Sequence, residues 1–298
     1  MGLLLLVARA ERSLVGDEDG PYTRAVSPAR VRRSGSGRDA DSGDGGEWQA
    51  RTSPMLVRAV RPLVRAMARL HAVTCEGIEN IPKDGPAILV GNHGMLGYES
   101  LLFFERILTD CGRLPIGLAD RWFFRVPGLR DVLVRLGGAY GSMPNGLAAL
   151  ERGELLVVYP GGARETFKHE RDKYRLQWEQ SLGFARLAIA AGVPIVPFAA
   201  AGVDDAFRVV GHLGGSGQLL MGHSKYDLPL VWGERGILPR PVPFSFHFGE
   251  PIAPPAGARA DDEVVVRELH GRAWTIATAM LKAAVARWTE NQDREEDS

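Results

Sequence analysis

The 298-residue sequence holds two cysteines, Cys75 and Cys111, and they form no Cys-x-x-Cys pair and have no histidine close by. That scarcity excludes a disulfide-stapled scaffold, and each cysteine reads as a buried free thiol in a reducing compartment. Net charge is lacking too, since 36 Lys and Arg balance 36 Asp and Glu. No whole-molecule field therefore draws the chain to nucleic acid. No apolar run approaches the ~20 residues that a membrane-crossing helix needs. The greasy start, Met1 to Val7, is closed by Arg9, Glu11 and Arg12, has no basic residue before it, and carries Leu6 where a myristoylation motif has Ser or Thr. Neither a signal peptide nor an acyl anchor is expected from it. An internal repeat is absent. So is the Gly-x-Ser-x-Gly turn of a serine hydrolase, because Gly222-His-Ser-Lys-Tyr226 lacks the closing glycine. His223 and His247 have no acid or cysteine at metal-ligand spacing, so both are expected to be structural and no metal is expected.

What is present is an apolar fraction of 45%, enough for one domain of this length to bury roughly 70% of its unfolded surface without disulfides. Residues 1–54 read as a disordered tail, because Asp17 to Thr52 is rich in Gly, Ser, Asp and Arg and has no apolar period. Residues 55–290 read as the folded domain and 291–298 as a frayed acidic end. The domain opens on a basic amphipathic helix at 55–72, with Leu56, Val57, Val60, Leu63, Val64, Met67 and Leu70 on one face and Arg58, Arg61, Arg65 and Arg69 on the other. Such a helix either lies in a membrane interface or packs on the domain with a solvated arginine face. Short apolar runs at 86–91, 114–119, 154–159, 193–199 and 244–249 predict buried strands. Helical patterns at 100–109, 128–136, 146–152, 176–191 and 262–289 alternate with them. The fold class is α/β, a sheet covered by helices on both faces.

Two turns carry chemistry. Val90-Gly-Asn-His-Gly-Met-Leu-Gly-Tyr-Glu-Ser100 follows a predicted strand, and ligands sit at the carboxyl ends of such strands. His93 can take a proton from a hydroxyl near neutral pH if a second group orients its ring. Glu99 is six positions on, too far to share a helical face with it. A turn that uses Gly94 and Gly97 can fold it back onto the ring. The second turn, Tyr159-Pro-Gly-Gly-Ala-Arg-Glu165, reads as a place where Gly161 and Gly162 let the main chain approach a ligand. Arg164 suits a phosphate or carboxylate. The other reading is a tight turn closed by an Arg164–Glu165 ion pair. Trp122, Phe123 and Phe124 read as core, with the lining of an acyl pocket as the alternative.

Gly91-Asn-His93 with Glu99, Tyr159-Pro-Gly-Gly-Ala-Arg-Glu165 and Val193-Pro-Ile-Val-Pro-Phe198 resemble, in order, blocks of the lysophospholipid acyltransferase superfamily. The chain is most similar to the diacylglycerol acyltransferase and phytyl ester synthase branch, which Asp120-Arg-Trp-Phe-Phe-Arg-Val-Pro127, Leu136-Gly-Gly138 and Asn145 also resemble. The likeness spans roughly residues 70–255 and implies a single acyltransferase domain on a mixed, mostly parallel sheet. It implies fatty acyl transfer from acyl-CoA or acyl carrier protein to a lipid hydroxyl, with His93 as base, Glu99 as its partner, and Gly94, Gly161, Gly162, Arg164 and Glu165 around the substrates. No cofactor beyond the thioester co-substrate is implied. The superfamily pattern places an acid five residues after the histidine; here that place is Tyr98, and Glu99 follows one later. Phospholipid-making branches read Pro-Glu-Gly-Thr-Arg at the second block, whereas this chain has Gly161 and Ala163 at the Glu and Thr places. That departure favours diacylglycerol or a long-chain alcohol as acceptor over a lysophospholipid or glycerol phosphate, for which Arg164 speaks. A non-catalytic lipid-binding protein of the same fold is the remaining alternative. Because both substrates carry lipid chains, the resemblance also favours the membrane reading of helix 55–72, and with it a cytoplasmic protein bound peripherally to the membrane.

Overall fold

The computed structural model describes residues 49–296 apart from Pro127, Gln180, Ser224, Lys225, Arg235 and Ile237. Residues 1–48 of the expected tail lie outside the described residues. The stretch 49–53 is tied down, because the Arg51 and Ser53 amides donate to the carbonyls of Val134 and Arg135 at 3.0 and 2.8 Å. In chain order the elements are α1 (Pro54–Leu70), β1 (Thr74–Glu76), β2 (Ala87–Gly91), α2 (Glu99–Cys111), β3 (Ile116–Ala119), α3 (Arg121–Arg125), α4 (Leu129–Arg135), β4 (Gly138–Tyr140) and α5 (Met143–Glu151). There follow β5 (Leu155–Val158), α6 (Ala163–Thr166), α7 (Gly183–Ala191), β6 (Ile195–Ala201), β7 (Arg208–His212), α8 (Ser216–Met221), β8 (Pro229–Trp232), β9 (Ser245–Phe248) and α9 (Glu263–Glu296).

Seven strands form one sheet in the order β1-β9-β6-β2-β5-β3-β4. All neighbours are parallel except β6 and β9, so the sheet is mixed and mostly parallel. Every residue of β2 and β6 is buried, which is why those strands read as unbroken apolar runs instead of alternating ones. On one face Ile88, Val90 and Leu156 pack with Phe184 and Leu187 of α7 and with Val266, Leu269 and Ala273 of α9. On the other, Leu89, Val157 and Phe198 pack with Leu102, Phe103 and Ile107 of α2.

Several expectations shift. The helix expected at 176–191 begins only at Gly183. The preceding residues form a loop because Trp178 is fully buried and its carbonyl accepts from the His270 ring at 3.2 Å. The last helix runs through residues 291–296, where sequence alone suggests fraying. Of the three aromatics at 122–124, Phe124 is buried but Phe123 is exposed. Both cysteines are free but half-buried, not fully buried as expected; partial burial pushes the Cys75 thiol up to about 11, against the pull of Arg106, and it raises Cys111 as well. His247 is buried and bonded to Glu76 and Ser245.

Helix α1 combines the two readings of its sequence. Leu56, Val57 and Val64 are buried, but Met55, Leu63 and Leu70 are exposed. Nor do its arginines make one solvated face, because Arg61 and Arg65 both reach Glu105 of α2, at 2.9 and 2.8 Å. Burial alone would raise the Glu105 pKa, but the bonds from Arg61, Arg65 and Thr109 outweigh it and hold the carboxyl below its usual range. This tether is therefore at full strength above the ordinary carboxylate range and is lost as pH falls through the lowered value. Glu105→Ala is expected to cost about 2 kcal/mol and to speed amide exchange across residues 54–70, read by hydrogen-exchange mass spectrometry. Unchanged exchange would mean that apolar packing alone holds the helix.

Candidate active site

The site is assembled at the carboxyl ends of three adjacent strands, β5, β2 and β6. Just beyond β2, the Asn92 side chain extends the ladder onto β6: its Oδ1 accepts from the Ala200 amide at 2.8 Å and its Nδ2 donates to the Ala200 carbonyl at 3.0 Å. The next residue is His93. The chain then makes one tight turn, with Leu96 (φ 59°) and Gly97 (φ 67°) in the left-handed region, and enters α2 at Glu99. A leucine there is strained, and the turn keeps it because the geometry brings Glu99 back to the histidine. Glu99 Oε1 lies 2.6 Å from His93 Nδ1 and accepts from the Gly94 amide at 3.0 Å. Gly94 is needed for space, since a Cβ would stand 2.6 Å from Glu99 Oε2. Its amide, expected to meet substrate, is occupied by Glu99.

Glu99 is buried. Burial by itself would raise its pKa, but the charge and hydrogen bond of His93 and the Gly94 amide hold it below the usual carboxylate range. The pair's contribution to stability is thus complete above that range and is lost as pH falls through the lowered value. A carboxylate at Nδ1 places the ring's proton there and leaves the Nε2 lone pair for chemistry. The ring is 15% exposed, lies flat on Tyr159 with centroids 3.8 Å apart, and has no hydrogen bond at Nε2 among the described residues.

The second turn is built differently from its sequence reading. Glu165 is fully buried and points inward: Oε2 accepts from the His93 amide at 2.7 Å and Oε1 from the Gln177 amide at 2.8 Å. Its carboxyl has no surface to offer a substrate. Burial pushes its pKa up, opposed by Lys168 and the two amides. Gly161 makes room for it, because a Cβ there would lie 2.2 Å from the Glu165 Cδ. Gly162 has φ 51°, which explains it by backbone angle. Arg164 makes no ion pair with Glu165; it bonds to Ser181 Oγ at 3.1 Å and lines a cleft of about 210 Å³ beside Phe167, His169, Gln177 and His212.

Sequence reasoning missed Lys168 and Asp204. The Lys168 ammonium is buried and donates to the His93 carbonyl at 3.0 Å and to Asp204 Oδ2 at 2.7 Å; Oδ2 also accepts from the Tyr174 amide. The main chain of His93 is therefore gripped on both sides, its amide by Glu165 and its carbonyl by Lys168. The only local signal was the three-residue spacing of Glu165 and Lys168; Asp204 comes from the end of another strand. Among the described residues no group of three or more His, Cys, Asp or Glu could hold a metal ion, and no helix is long and apolar enough to cross a membrane.

Residues 72–201 match the acyltransferase family model. The chain is 31% identical over 182 residues to the human "DGAT1/2-independent enzyme synthesizing storage lipids", an alignment covering 61% of this chain and 54% of that protein. It is 32% identical over 142 residues to the Arabidopsis thaliana "Phytyl ester synthase 2, chloroplastic", covering 45% and 20%. Among solved structures it is similar to the 1-acyl-sn-glycerophosphate acyltransferase PlsC from Thermotoga maritima, with 18% identity, TM-score 0.46 and coverage of 77% and 80%. The chain spans about half the length of the storage-lipid enzymes it matches.

Proposed function

We propose, from the acyltransferase-family domain carried by residues 72–201, that the protein is an O-acyltransferase moving a fatty acyl group from a thioester to a lipid hydroxyl. The observation that carries this is the His93–Glu99 pair, 2.6 Å apart, with Nε2 unbonded at the strand ends. In the proposed reaction the acceptor oxygen attacks the thioester carbonyl carbon as Nε2 removes its proton. Glu99 holds the ring and stabilises the imidazolium. Collapse of the tetrahedral species breaks the carbon–sulfur bond, and the departing thiolate takes the proton from Nε2 as the new ester is released. No acyl-enzyme and no cofactor are required; acyl-CoA or acyl carrier protein is the co-substrate.

The acceptor we favour is neutral, diacylglycerol or a long-chain alcohol. Support comes from the printed names of the storage-lipid and phytyl ester relatives and from Gly161 and Ala163 at the Glu and Thr places of the phospholipid pattern. One observation favours a second reading, a lysophospholipid or glycerol phosphate: Arg164 lines a cleft that also holds His169. The protein works at a membrane surface in this proposal, and the exposed Met55, Leu63 and Leu70 beside Arg58 and Arg69 on α1 support that.

The test offers the purified chain long-chain acyl-CoA, then acyl carrier protein, with diacylglycerol, a long-chain alcohol and lysophosphatidate in competition. Products are read by lipid mass spectrometry. Neutral ester is the expected major product. Phosphatidate would instead support the second reading, with Arg164 as the phosphate clamp. Lipid binding without product from any pair would identify a non-catalytic lipid-binding protein.

A further inference from the structure

The hairpin of β7 and β8 turns an apolar face to solvent. Val209 and Val231, paired across the ladder, pack against the core on the α2 side of the sheet. The alternate side chains point away: Val210, Leu230 and Trp232 are 68%, 43% and 59% exposed, and Arg208 stands opposite Trp232. Leu219 of α8, in the connection between the two strands, and Leu238, just past the hairpin, are exposed as well, at 84% and 57%. An apolar patch of this kind marks an interaction site.

Its position says with what. Met67 and Ala68 of α1 pack on the same core cluster as Val209 and Val231. His71, just past α1, bonds to the Val242 carbonyl at 2.8 Å on the segment that leaves the hairpin. The hairpin and the exposed side of α1 therefore lie over one face of the sheet. The hairpin also borders the candidate site: His212 Nε2 donates to the Phe167 carbonyl at 3.0 Å, next to the Lys168 that holds His93. Tryptophan with a neighbouring arginine suits the headgroup boundary of a bilayer. Five apolar side chains fall well short of the roughly 20–30 residues a side of a stable protein interface.

We propose that the β7–β8 hairpin is a second bilayer-contacting element. Val210, Leu230 and Trp232 enter the boundary between headgroups and acyl chains, and Arg208 meets an anionic headgroup. Together with α1 it holds the strand ends against the membrane from which a lipid acceptor enters. The proposal rests on the lipid-acceptor reading for its purpose, but its test needs no turnover.

The 298-residue wild type and Val210→Ser/Trp232→Ser would be floated with phosphatidylcholine vesicles with and without phosphatidylglycerol, thermal unfolding confirming that both are folded. The expected result is partitioning weaker by about 10-fold or more in the double variant, with a smaller loss for Arg208→Gln that appears only with phosphatidylglycerol. Brominated phosphatidylcholine is expected to quench a fluorescence component that Trp232→Phe removes. If acyl transfer is seen, the double variant should lose it on vesicle-borne acceptor and keep it on detergent-dispersed acceptor. Equal partitioning of the two proteins overturns the proposal. So does absence of Trp232 quenching, or a wild-type dimer that the double variant dissolves, since the face would then be covered by protein.

Discussion

His93→Ala is expected to lower turnover by roughly 10²–10⁴-fold, the range that a positioned general base supplies. The loss should fall on kcat, with KM for both substrates nearly unchanged, because the proposed reaction uses the ring at the reacting oxygen and not in binding lipid chains. The variant also leaves the buried Glu99 carboxylate without its histidine, so some stability will go with the activity. His93→Gln separates the two effects, since it keeps an amide donor toward Glu99 and lacks a base. Stability recovered in His93→Gln with turnover still absent would place proton removal on His93. Turnover retained in either variant would remove His93 from the mechanism. Glu99→Gln should be milder, about 10²-fold, because a neutral amide can still orient the ring but cannot stabilise an imidazolium.

The largest stability effect is expected at a buried ion pair beside His93, outside the His93–Glu99 pair itself. Lys168→Met removes the partner of a fully buried aspartate, leaving Asp204 Oδ2 with only the Tyr174 amide and Oδ1 with no partner at all. Breaking one half of such a pair costs about 3–5 kcal/mol, because the other charge stays buried and uncompensated. In a domain of this size that corresponds to a Tm lower by roughly 10 °C or more. Replacing both partners should cost far less, since a well-filled apolar pair avoids the desolvation penalty. Thermal unfolding of Lys168→Met, Asp204→Leu and the double variant closes the cycle. If the two single losses simply added, the Lys168–Asp204 contact would not be the source of either loss. Lys168 also holds the His93 carbonyl, so turnover per folded molecule should drop in the single variant even at temperatures where it is fully native.

How much of this was legible beforehand depended on whether a residue's partner lies nearby in sequence. The strands at Ala87–Gly91 and Ile195–Ala201 were readable because a strand buried on both faces has to be apolar along its whole length. The return of Glu99 toward His93 was also readable, since the turn that allows it lies between them. Of the residues that bend, Gly97 was readable and Leu96 was not, while Gly94 keeps an ordinary negative φ and instead admits the carboxylate and donates its amide to it. Glu165 shows the opposite limit. Beside Arg164 it looked like half of a local ion pair, yet it turns inward to an amide 72 positions earlier.

By itself, then, the chain's order of residues determined the apolar runs, the glycine turns and the spacing that joins a histidine to an acid. These are local, set by backbone angles and by the period of the side chains. Only the tertiary structure decided that β5, β2 and β6 lie side by side. That adjacency is what places Glu165, Lys168 and Asp204 around the main chain of one histidine, and the packing of α1 on α2 is what brings Arg61 and Arg65 to Glu105. The physical reason is burial. Once strand ends from distant parts of the chain exclude water together, every polar group among them needs a partner there, and no sequence spacing records which one it finds.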